Sequence, residues 1–243
     1  MRVEHNEPLS PAGSVVHRDG RMTRPGKRVF DLVVSAIGLL VCAPFLPLIA
    51  LAVRLDSEGP VFFIQERIGA GFRPFPVLKL RTMTDRVSGA AITCGADPRI
   101  TRVGRVIRRF KLDEVPQLWN VFRGDMSLVG PRPEVREHVA LYVEDYKVVL
   151  SVRPGITDPA SIAYRSEAEL LGTAKDPETY YRHVILPDKI RMSREYLIKA
   201  NLRTDFAVLM RTLVACLAPH DLRPGDSLDR GASEGASSSR TGQ

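Results

Sequence analysis

The distribution of apolar positions separates one uncharged run from a longer, more polar remainder. Residues 32–53 contain no charged side chain, and no comparable run occurs elsewhere in the sequence. At about 1.5 Å per residue, this run would reach about 33 Å as a helix, which is enough to cross the hydrocarbon core of a bilayer. The pattern therefore predicts a single membrane-grade segment in an otherwise polar chain.

Two features of this apolar run oppose a straight membrane span. Pro44 and Pro47 lie in its middle, where proline removes a backbone donor and kinks a helix. Basic residues flank both ends, with Lys27 and Arg28 before the run and Arg54 after it, and basic flanks favour the cytoplasmic side of a membrane. A re-entrant helix–break–helix hairpin, broken at Pro44, satisfies both features. An ordinary kinked transmembrane helix is the alternative.

After the apolar run, the hydrophobic pattern is first typical of β-strands. VFFIQERIG and then PFPVLKL are β-rich segments separated by Gly69 and Gly71, which is typical of a β-hairpin. The remaining periodic segments are helical, so the expected fold class is α+β and mostly helical. It combines the N-terminal membrane hairpin, a small β-hairpin and amphipathic helices.

Helical spacing predicts a helix after Pro98, another from about Asp113 and a third over residues 137–150. The proline-bound segments 125–135 and 153–159 are expected to be loops. Residues 194–217 are expected to be helical, with one apolar face at the C-terminal end. That face consists of Leu202, Phe206, Leu209, Leu213 and Leu217.

The two ends of the chain lack hydrophobic periodicity. Residues 1–23 and 219–243 contain Pro, Gly, Ser and charged residues in no regular order, which predicts a disordered arm and a disordered tail. The expected organisation is therefore a membrane hairpin over residues 24–58 and one folded domain over residues 59–218.

Composition narrows the kinds of site that this domain could hold. The chain has 3 cysteines, with no C-x-x-C spacing, and 5 scattered histidines, which argues against a disulfide framework and against a thiolate zinc site. The net charge is +7, from 35 Lys and Arg against 28 Asp and Glu. A basic balance of this kind favours acidic partners such as phosphates or anionic lipid.

Much of the positive charge lies just before a pair of carboxylates. Residues 99–111 carry Arg99, Arg102, Arg105 and Arg108 three apart, followed by Arg109 and Lys111. Such a stripe can be a solvated helix face, a nucleic-acid contact or a binding site for the phosphates of a small ligand. Composition alone does not choose among these three interpretations.

Asp113 and Glu114 directly follow this basic segment. Asp113 could be a helix N-cap with Glu114 in the first turn, since both placements favour the helix dipole. Alternatively, a carboxylate beside several arginines stays ionised and can attack phosphorus or bind Mg²⁺. Arg132 and Arg153 lie in proline-bound loops, where each could complete a phosphate site or simply shape a turn.

Together these segments resemble the bacterial sugar transferase family, the monotopic polyprenyl-phosphate phosphoglycosyl transferases. The resemblance extends in order over most of residues 27–217, and its central part, from DPRIT to GPRPE, is the most specific. The matching segments are KRVFDLVVSAIGLLVCAPF, GPVFFIQERIG, FPVLKLRTM, DPRITRVGRVIRRFKLDEVPQLWNVFRGDMSLVGPRPE, RPGIT and LRTDFAVLMRTL.

The resemblance implies transfer of a sugar 1-phosphate from a UDP-sugar to polyprenyl phosphate, usually undecaprenyl phosphate, with release of UMP. It implies a phosphosugar-aspartyl intermediate and Mg²⁺ as cofactor, with Asp113 as nucleophile and metal ligand and Glu114 as its partner. Arg108, Arg132 and Arg153 match basic positions near the phosphates.

The resemblance also bears on the rest of the chain and on its location. Asp205 matches a family carboxylate near the active site, and Pro44 matches the hairpin break. Residues 59–218 would form the catalytic domain on the cytoplasmic face of the bacterial inner membrane, in contact with membrane lipids. The enzyme would catalyse the first membrane step of exopolysaccharide, capsule or O-antigen synthesis. The resemblance leaves open whether it forms a homo-oligomer.

Three positions depart from the family pattern. Ala43 precedes Pro44 where serine is common, Lys111 stands two residues before the carboxylate pair where Ser or Thr is common, and Asp158 follows RPGIT where glycine is frequent. None of these removes a proposed catalytic group, although they affect the hairpin geometry and the choice of sugar.

The competing hypothesis is a membrane-anchored, non-catalytic module whose basic helix binds nucleic acid or anionic lipid. Low aromatic content (7%) and the carboxylate pair weigh against it, so no nucleic-acid partner is expected.

Overall fold

The computed structural model describes residues 25–84, 94–95 and 97–217, and the predicted arm and tail lie outside them. In the described part, most residues are helical, and four short strands form two separate two-stranded sheets. The strands are β1 (Phe62–Ile68), β2 (Pro74–Leu80), β3 (Ser127–Val129) and β4 (Gly155–Thr157). The helices are α1 (Pro25–Cys42), α2 (Leu46–Asp56), α3 (Arg102–Arg109), α4 (Gln117–Arg123), α5 (Arg136–Leu141), α6 (Val143–Val149), α7 (Pro159–Ala163), α8 (Glu167–Thr173), α9 (Pro177–Tyr180), α10 (Leu186–Lys199) and α11 (Leu202–Leu217).

The apolar run forms a bent pair of helices. The axes of α1 and α2 meet at 63°, and Pro44 lies in the break between them, as predicted. Among the described residues, none of the helices alone has the length and apolar character needed to cross a bilayer, whereas this bent pair meets both criteria when taken together. Large apolar side chains on both helices are exposed, including Ile37, Leu40, Leu48 and Leu55.

Polar contacts attach the first helix of this pair to the folded domain. Asp31 is buried, and its carboxylate accepts hydrogen bonds from the Ser127 hydroxyl at 2.9 Å and the Leu128 backbone N–H at 3.1 Å. Arg28 donates to the carbonyls of Val121 and Phe122 at 2.6 and 2.9 Å, at the C-terminal end of α4. This placement stabilises α4, because a cation there faces the negative end of the helix dipole.

The predicted β-hairpin is confirmed. Strands β1 and β2 pair antiparallel from Phe62 opposite Leu80 to Ile68 opposite Pro74. A short 3₁₀ turn joins them, with Gly71 in the left-handed region at φ 64°. One face of β2 is buried in the core, whereas Phe62 and other apolar side chains of β1 remain exposed.

Two segments predicted to be loops contain strands instead. Strands β3 and β4 pair in parallel, with Ser127 opposite Gly155 and Val129 opposite Thr157. Each strand has only three residues, which is too short to show an alternating pattern in the sequence. The backbones approach closely just beyond the pair, because a Cβ on Gly155 would overlap the backbone of Gly130.

The helix boundaries also differ from the predictions. The helix predicted to start after Pro98 is α3, and it begins only at Arg102. The Thr101 side chain sets this start, because it accepts a hydrogen bond from the Gly104 N–H at 2.9 Å and so caps the helix. The single helix predicted over 137–150 is divided at Tyr142, and the C-terminal helix is interrupted between Lys199 and Leu202. Each interruption falls inside an apolar pattern that continues on both sides, so periodicity alone did not reveal it.

The core consists of clusters on both sides of the hairpin. One packs β2, β3 and α4 against α11 through residues such as Val77, Val121 and Val208. Another packs α5, α6, α8 and α10 together around Val139 and Ile185. A smaller cluster joins α2 to α3 through Val53, Leu80 and Ile107.

The last helix, α11, turns its predicted apolar face outward. Asp205 and Val208 are buried, whereas Leu202, Phe206 and Leu213 are exposed. Leu209 is half-buried, and the Leu217 side chain lies outside the described residues. The helix therefore packs on the core through Val208 and Leu209 and exposes its remaining large apolar side chains on the other side.

We predict that the buried Asp205 carboxylate stabilises the fold. It forms an ion pair with Lys27 at 2.6 Å and accepts the Tyr196 hydroxyl at 2.5 Å, so it links α11, α10 and α1. Asp205→Asn should lower the free energy of unfolding by about 2–3 kcal/mol, somewhat less than for a fully buried pair because Lys27 is partly exposed. Denaturation of the purified full chain in detergent measures this loss.

Glu144→Gln is the matched control for that prediction. Glu144 and Lys147 also form an ion pair at 2.6 Å, but both side chains are exposed. An exposed pair contributes about 0–1 kcal/mol, so this variant should unfold almost as the parent does. Equal losses for the two variants would contradict a stabilising role for Asp205.

Candidate active site

Helix α3 places part of the basic segment beside a large cleft. The cleft has a volume of about 1940 Å³, and Arg105, Arg108 and Arg109 contribute to its lining. Arg99 has a different role, because its guanidinium pairs with Asp97 at 2.7 Å before the helix begins. The stripe predicted from the sequence is therefore divided, and its C-terminal half faces the same cleft as the carboxylate pair.

Asp113 lies in a tight turn between α3 and α4. Lys111 adopts the left-handed conformation at φ 56°, which reverses the chain direction after α3, and residues Leu112–Glu114 then form a single 3₁₀ turn. Asp113 does not cap α4, because that helix begins at Gln117 after Pro116 and has no side-chain cap. The helix-cap interpretation is therefore wrong, and another role must explain this carboxylate.

One oxygen of Asp113 is buried without a protein partner. Its Oδ1 atom makes no hydrogen bond to any described residue, although the side chain lines the cleft. Burial and then the neighbouring Glu114 raise the pKa of Asp113, while Lys79, Lys111 and Arg108 act in the opposite direction. The sequence suggested that arginines keep this group ionised. In the structure, burial outweighs them, so a further cation or a bound phosphate partner would change its charge state strongly.

Glu114, in contrast, is fully engaged. Its two oxygens accept hydrogen bonds from the two terminal nitrogens of Arg132, one of them at 3.3 Å. Burial alone would raise the pKa of Glu114, but Arg132 and Lys79 lower it to about 2. Glu114 is therefore ionised at neutral pH, and it holds Arg132 in place at the wall of the cleft.

Lys79 is a functional candidate that was not predicted from the sequence. It lies on β2, lines the cleft and is partly buried near Arg132, Glu114 and Asp113. Burial and then Arg132 lower its pKa to about 8. The sequence did contain a signal, because Lys79 follows buried Phe75 and Val77 with the period of 2 that marks one face of a strand.

A second polar network, also not predicted, forms another wall of the cleft. Glu134 is buried and accepts the Tyr181 hydroxyl at 2.8 Å, and it contacts His138 Nδ1 at 3.1 Å and Arg67 at 3.4 Å. Burial would raise the pKa of Glu134, but His138, Lys189 and Arg67 lower it to about 2. These side chains are fixed by one another and give this wall a constant polar shape.

The structure does not bring every predicted site residue to this cleft. Asp113, Glu114, Arg108 and Arg132 line it together. Arg153 precedes β4 and does not contribute to the lining, so its role at the phosphates stays a prediction without support from the geometry. Asp205 and Pro44 also lie outside the lining, where Asp205 pairs with Lys27 and Pro44 breaks the helix pair.

The donor set at the cleft fits Mg²⁺ only in part. Among the described residues, no three His, Cys, Asp or Glu side chains come together as a protein-only metal site. Mg²⁺ commonly takes one or two carboxylates and completes its shell with substrate phosphates and water. Asp113 is the member of the pair that fits this role, since Arg132 occupies both oxygens of Glu114 and Oδ1 of Asp113 has no partner among the described residues.

Comparison with known proteins identifies the family of this chain. Residues 22–219 match the model of the bacterial sugar transferase family. The chain belongs to this family. The match covers the helix pair, the β-hairpin, the Asp113 turn and α11 in one continuous stretch, so the family includes all the elements that form or support the cleft.

The relatives of this sugar transferase have different sugars in their names. A UDP-glucose:undecaprenyl-phosphate glucose-1-phosphate transferase of Caulobacter vibrioides is 39% identical over 79% of this chain and 69% of its own length. An undecaprenyl-phosphate glucose phosphotransferase of Komagataeibacter xylinus is 49% identical over 56% of this chain. A UDP-N-acetylgalactosamine-undecaprenyl-phosphate N-acetylgalactosaminephosphotransferase of Aeromonas hydrophila is 38% identical over 64% of this chain.

These matches cover different shares of the relatives' own lengths. The alignment covers 27% of the Komagataeibacter protein and 38% of the Aeromonas protein, so this sugar transferase spans less than half the length of both. The names of these relatives describe longer proteins. What this chain does with sugar nucleotides and lipid is therefore a proposal that must be supported by its own residues.

We predict that the Lys79 ammonium loses its proton near pH 8. A pKa of about 8 means that the rate of acylation of Lys79 rises as the pH passes through this value and then levels off. Glu114→Gln should shift the rise to lower pH, because the Glu114 carboxylate favours the charged form of Lys79. Mass spectrometry of the full chain after brief acylation at a series of pH values measures the rate.

Glu144→Gln again provides the control, since it removes an exposed carboxylate on α6, away from the cleft lining. It should leave the acylation profile of Lys79 unchanged. A profile that rises only near pH 10, or one that Glu114→Gln does not move, would contradict the proposed burial of Lys79 beside Glu114.

Proposed function

We propose that this sugar transferase moves a sugar 1-phosphate from a UDP-sugar to undecaprenyl phosphate and releases UMP. The observation that carries the proposal is the contrast between the two neighbouring carboxylates. Glu114 is occupied by Arg132, whereas Asp113 has a buried oxygen without a protein partner, at a cleft lined by Lys79, Arg108 and Arg132. Such a carboxylate is suited to attack phosphorus, since nothing in the protein must be displaced first.

In the first step, a carboxylate oxygen of Asp113 forms a bond to the β-phosphorus of the UDP-sugar. The bond between that phosphorus and the bridging oxygen breaks, and UMP leaves with the electron pair. In the second step, a phosphate oxygen of undecaprenyl phosphate bonds to the same phosphorus, and the bond to Asp113 breaks. The product carries the sugar on a diphosphate, and Asp113 returns to its starting state.

The cations around Asp113 have distinct tasks in this scheme. Arg132, held by Glu114, presents a fixed guanidinium to the phosphate oxygens. Lys79 and Arg108 oppose the rise in the pKa of Asp113 that burial causes, and so favour the ionised form that attacks. They also reduce the repulsion between this carboxylate and the negative charge of the diphosphate, which would otherwise slow the approach.

Mg²⁺ is proposed as the cofactor, with Asp113 as its protein ligand. When bound, the ion would neutralise the diphosphate oxygens during both steps. Asp113 would hold the ion together with the substrate phosphates, because Arg132 already occupies both oxygens of Glu114. The cation would also oppose the effect of burial on the pKa of Asp113.

The membrane placement is part of the same proposal. We infer that α1 and α2 enter and leave the bilayer on one face, with Pro44 at the turn, and that the outward face of α11 rests on the lipid surface. The acceptor phosphate lies at the headgroup level, so a catalytic domain on the cytoplasmic face of the bacterial inner membrane would meet both substrates. The product would be the first lipid-linked intermediate of an exopolysaccharide, capsule or O-antigen pathway.

The competing binding-module hypothesis explains less of the cleft. A module that binds nucleic acid through α3 would need the arginines on a surface that is open to a long polyanion. Arg105, Arg108 and Arg109 instead share a concave lining with both carboxylates, whose negative charge would repel such a ligand. A small phosphate-bearing substrate fits that lining better.

Asp113→Asn should abolish UMP release. The amide cannot act as the nucleophile, so we expect a loss of at least about 1,000-fold in UMP formation from UDP-glucose or UDP-N-acetylgalactosamine with undecaprenyl phosphate and Mg²⁺. Asp125→Asn is the control, because this acidic residue near the end of α4 does not line the cleft. Substantial activity of Asp113→Asn, with membrane association unchanged, would rule out Asp113 as the nucleophile.

A covalent intermediate should accumulate when the lipid acceptor is withheld. The full chain, incubated with a UDP-sugar and Mg²⁺ alone, should release UMP in a burst of up to one equivalent and gain the mass of a sugar phosphate. Hydroxylamine should remove that mass, and adding undecaprenyl phosphate should discharge it. A protein that turns over normally with acceptor, yet shows no burst and no mass gain without it, would indicate direct transfer instead.

A further inference from the structure

Two exposed apolar side chains form part of the lining of the cleft. Phe110, at the end of α3, is 47% exposed, and Leu213, near the end of α11, is 53% exposed. Both belong to the same lining as Asp113 and Arg132. We call these two residues the apolar rim. Contact of α11 with the lipid surface accounts for the exposure of Leu213 but not for its place in the lining of a cleft that binds a UDP-sugar, nor for the exposure of Phe110.

Basic side chains share the lining of the cleft with the apolar rim. The Arg109 guanidinium lies over the Phe110 ring, 5.8 Å from its centre, and Arg105 contributes to the same lining. Arg108, Asp113, Lys79 and Arg132 belong to the same lining. The lining therefore combines exposed apolar side chains, arginines and the proposed nucleophile.

Both helices that carry the apolar rim are attached to the bent helix pair. Helix α3 packs on α2 through Ile107 and Val53, and the Val103 N–H donates to Asp56 at 2.8 Å. Helix α11 is tied to α1 by the ion pair between Asp205 and Lys27. The apolar rim is therefore built on the elements that the proposed function places at the bilayer, rather than on the far side of the domain.

We propose that the apolar rim is the subsite for the first isoprenoid units of the acceptor and that undecaprenyl phosphate enters the cleft between α3 and α11. This inference rests on the proposed function. The acceptor has an apolar chain joined to a dianionic phosphate, and the lining offers both exposed apolar side chains and arginines, with the Arg109 guanidinium directly beside the Phe110 ring. The chain would cover Phe110 and Leu213, while Arg105 and Arg109 would guide the phosphate towards Asp113.

The kinetic test uses neighbouring residues on one helix. Leu213→Gln should raise the KM for undecaprenyl phosphate about tenfold or more, because it places a polar group in the path of the chain. Val214→Gln makes the same chemical change one residue later, at a side chain that is 63% exposed but does not line the cleft, and should leave the KM almost unchanged. Phe110→Ala and Phe122→Ala form a second matched pair, since Phe122 is 41% exposed and also lies outside the lining.

The first half-reaction separates this inference from the proposed function. UMP burst and mass gain without acceptor should be the same in Leu213→Gln, Phe110→Ala and the parent, because neither side chain is assigned to the UDP-sugar. Loss of the burst in both rim variants would assign these residues to the donor site and overturn the inference. Equal KM changes in the rim variants and their controls would also overturn it, whether or not Asp113 proves to be the nucleophile.

A binding test does not require turnover. In a chain whose Cys42, Cys94 and Cys216 are replaced by Ser, Leu213→Cys and Val214→Cys are labelled with a soluble maleimide in detergent micelles. Undecaprenyl phosphate should slow labelling at position 213 at least about fivefold relative to position 214. Phosphatidylglycerol at the same concentration should not reproduce this difference. Equal protection by both lipids would show a general lipid contact in place of an acceptor subsite.

Discussion

The bidentate pairing of Arg132 with Glu114 is the interaction on which the rest of the site depends. A 3₁₀ turn presents the adjacent carboxylates of Asp113 and Glu114 to a cleft lined by cations. If neither carboxylate had a cation of its own, both would compete for the same cations. Because Arg132 takes both oxygens of Glu114, that residue is ionised and immobile, and Asp113 is left with an oxygen that nothing in the described protein occupies. Two chemically similar residues thus acquire different properties through their neighbours.

The second constraint comes from the proposed reaction, in which a water-soluble donor and a membrane-bound acceptor must reach one phosphorus atom. In the fold, only a short stretch of chain separates a residue that lines the cleft from a residue that binds the helix pair. Lys79 faces the cleft from β2, and Arg81, only two residues later, donates to the carbonyls of Val53, Ser57 and Glu58 at the end of α2. Strand β2 therefore carries a cation of the site, and the residue that follows the strand binds the C-terminal end of a helix proposed to lie in the membrane.

The sequence predicted those features that are repeated along the chain or that depend on a single residue type. The apolar run, its break at Pro44, the β-hairpin and the carboxylate pair at Asp113 all belong to this group. The parallel pairing of β3 with β4 could not be predicted, because two strands of three residues, far apart in sequence, show no period. The same limit hid the two roles of the basic residues: Arg28 and Arg81 bind backbone carbonyls, whereas Arg108 and Arg132 line the cleft.

The partners of each charge, rather than the net charge, determine what the positive residues do. Lys27 is neutralised by Asp205 and Arg99 by Asp97, so neither adds an uncompensated charge to the cleft. Lys79 has the opposite character, because burial near Arg132 lowers its pKa to about 8 and weakens its hold on the proton. A bound phosphate would add to the negative charge that Glu114 and Asp113 already place near this lysine and would favour its ammonium form. Folding places Lys79 close to Arg132, and these two positive charges repel each other. Binding of a diphosphate between the cations would therefore reduce this repulsion.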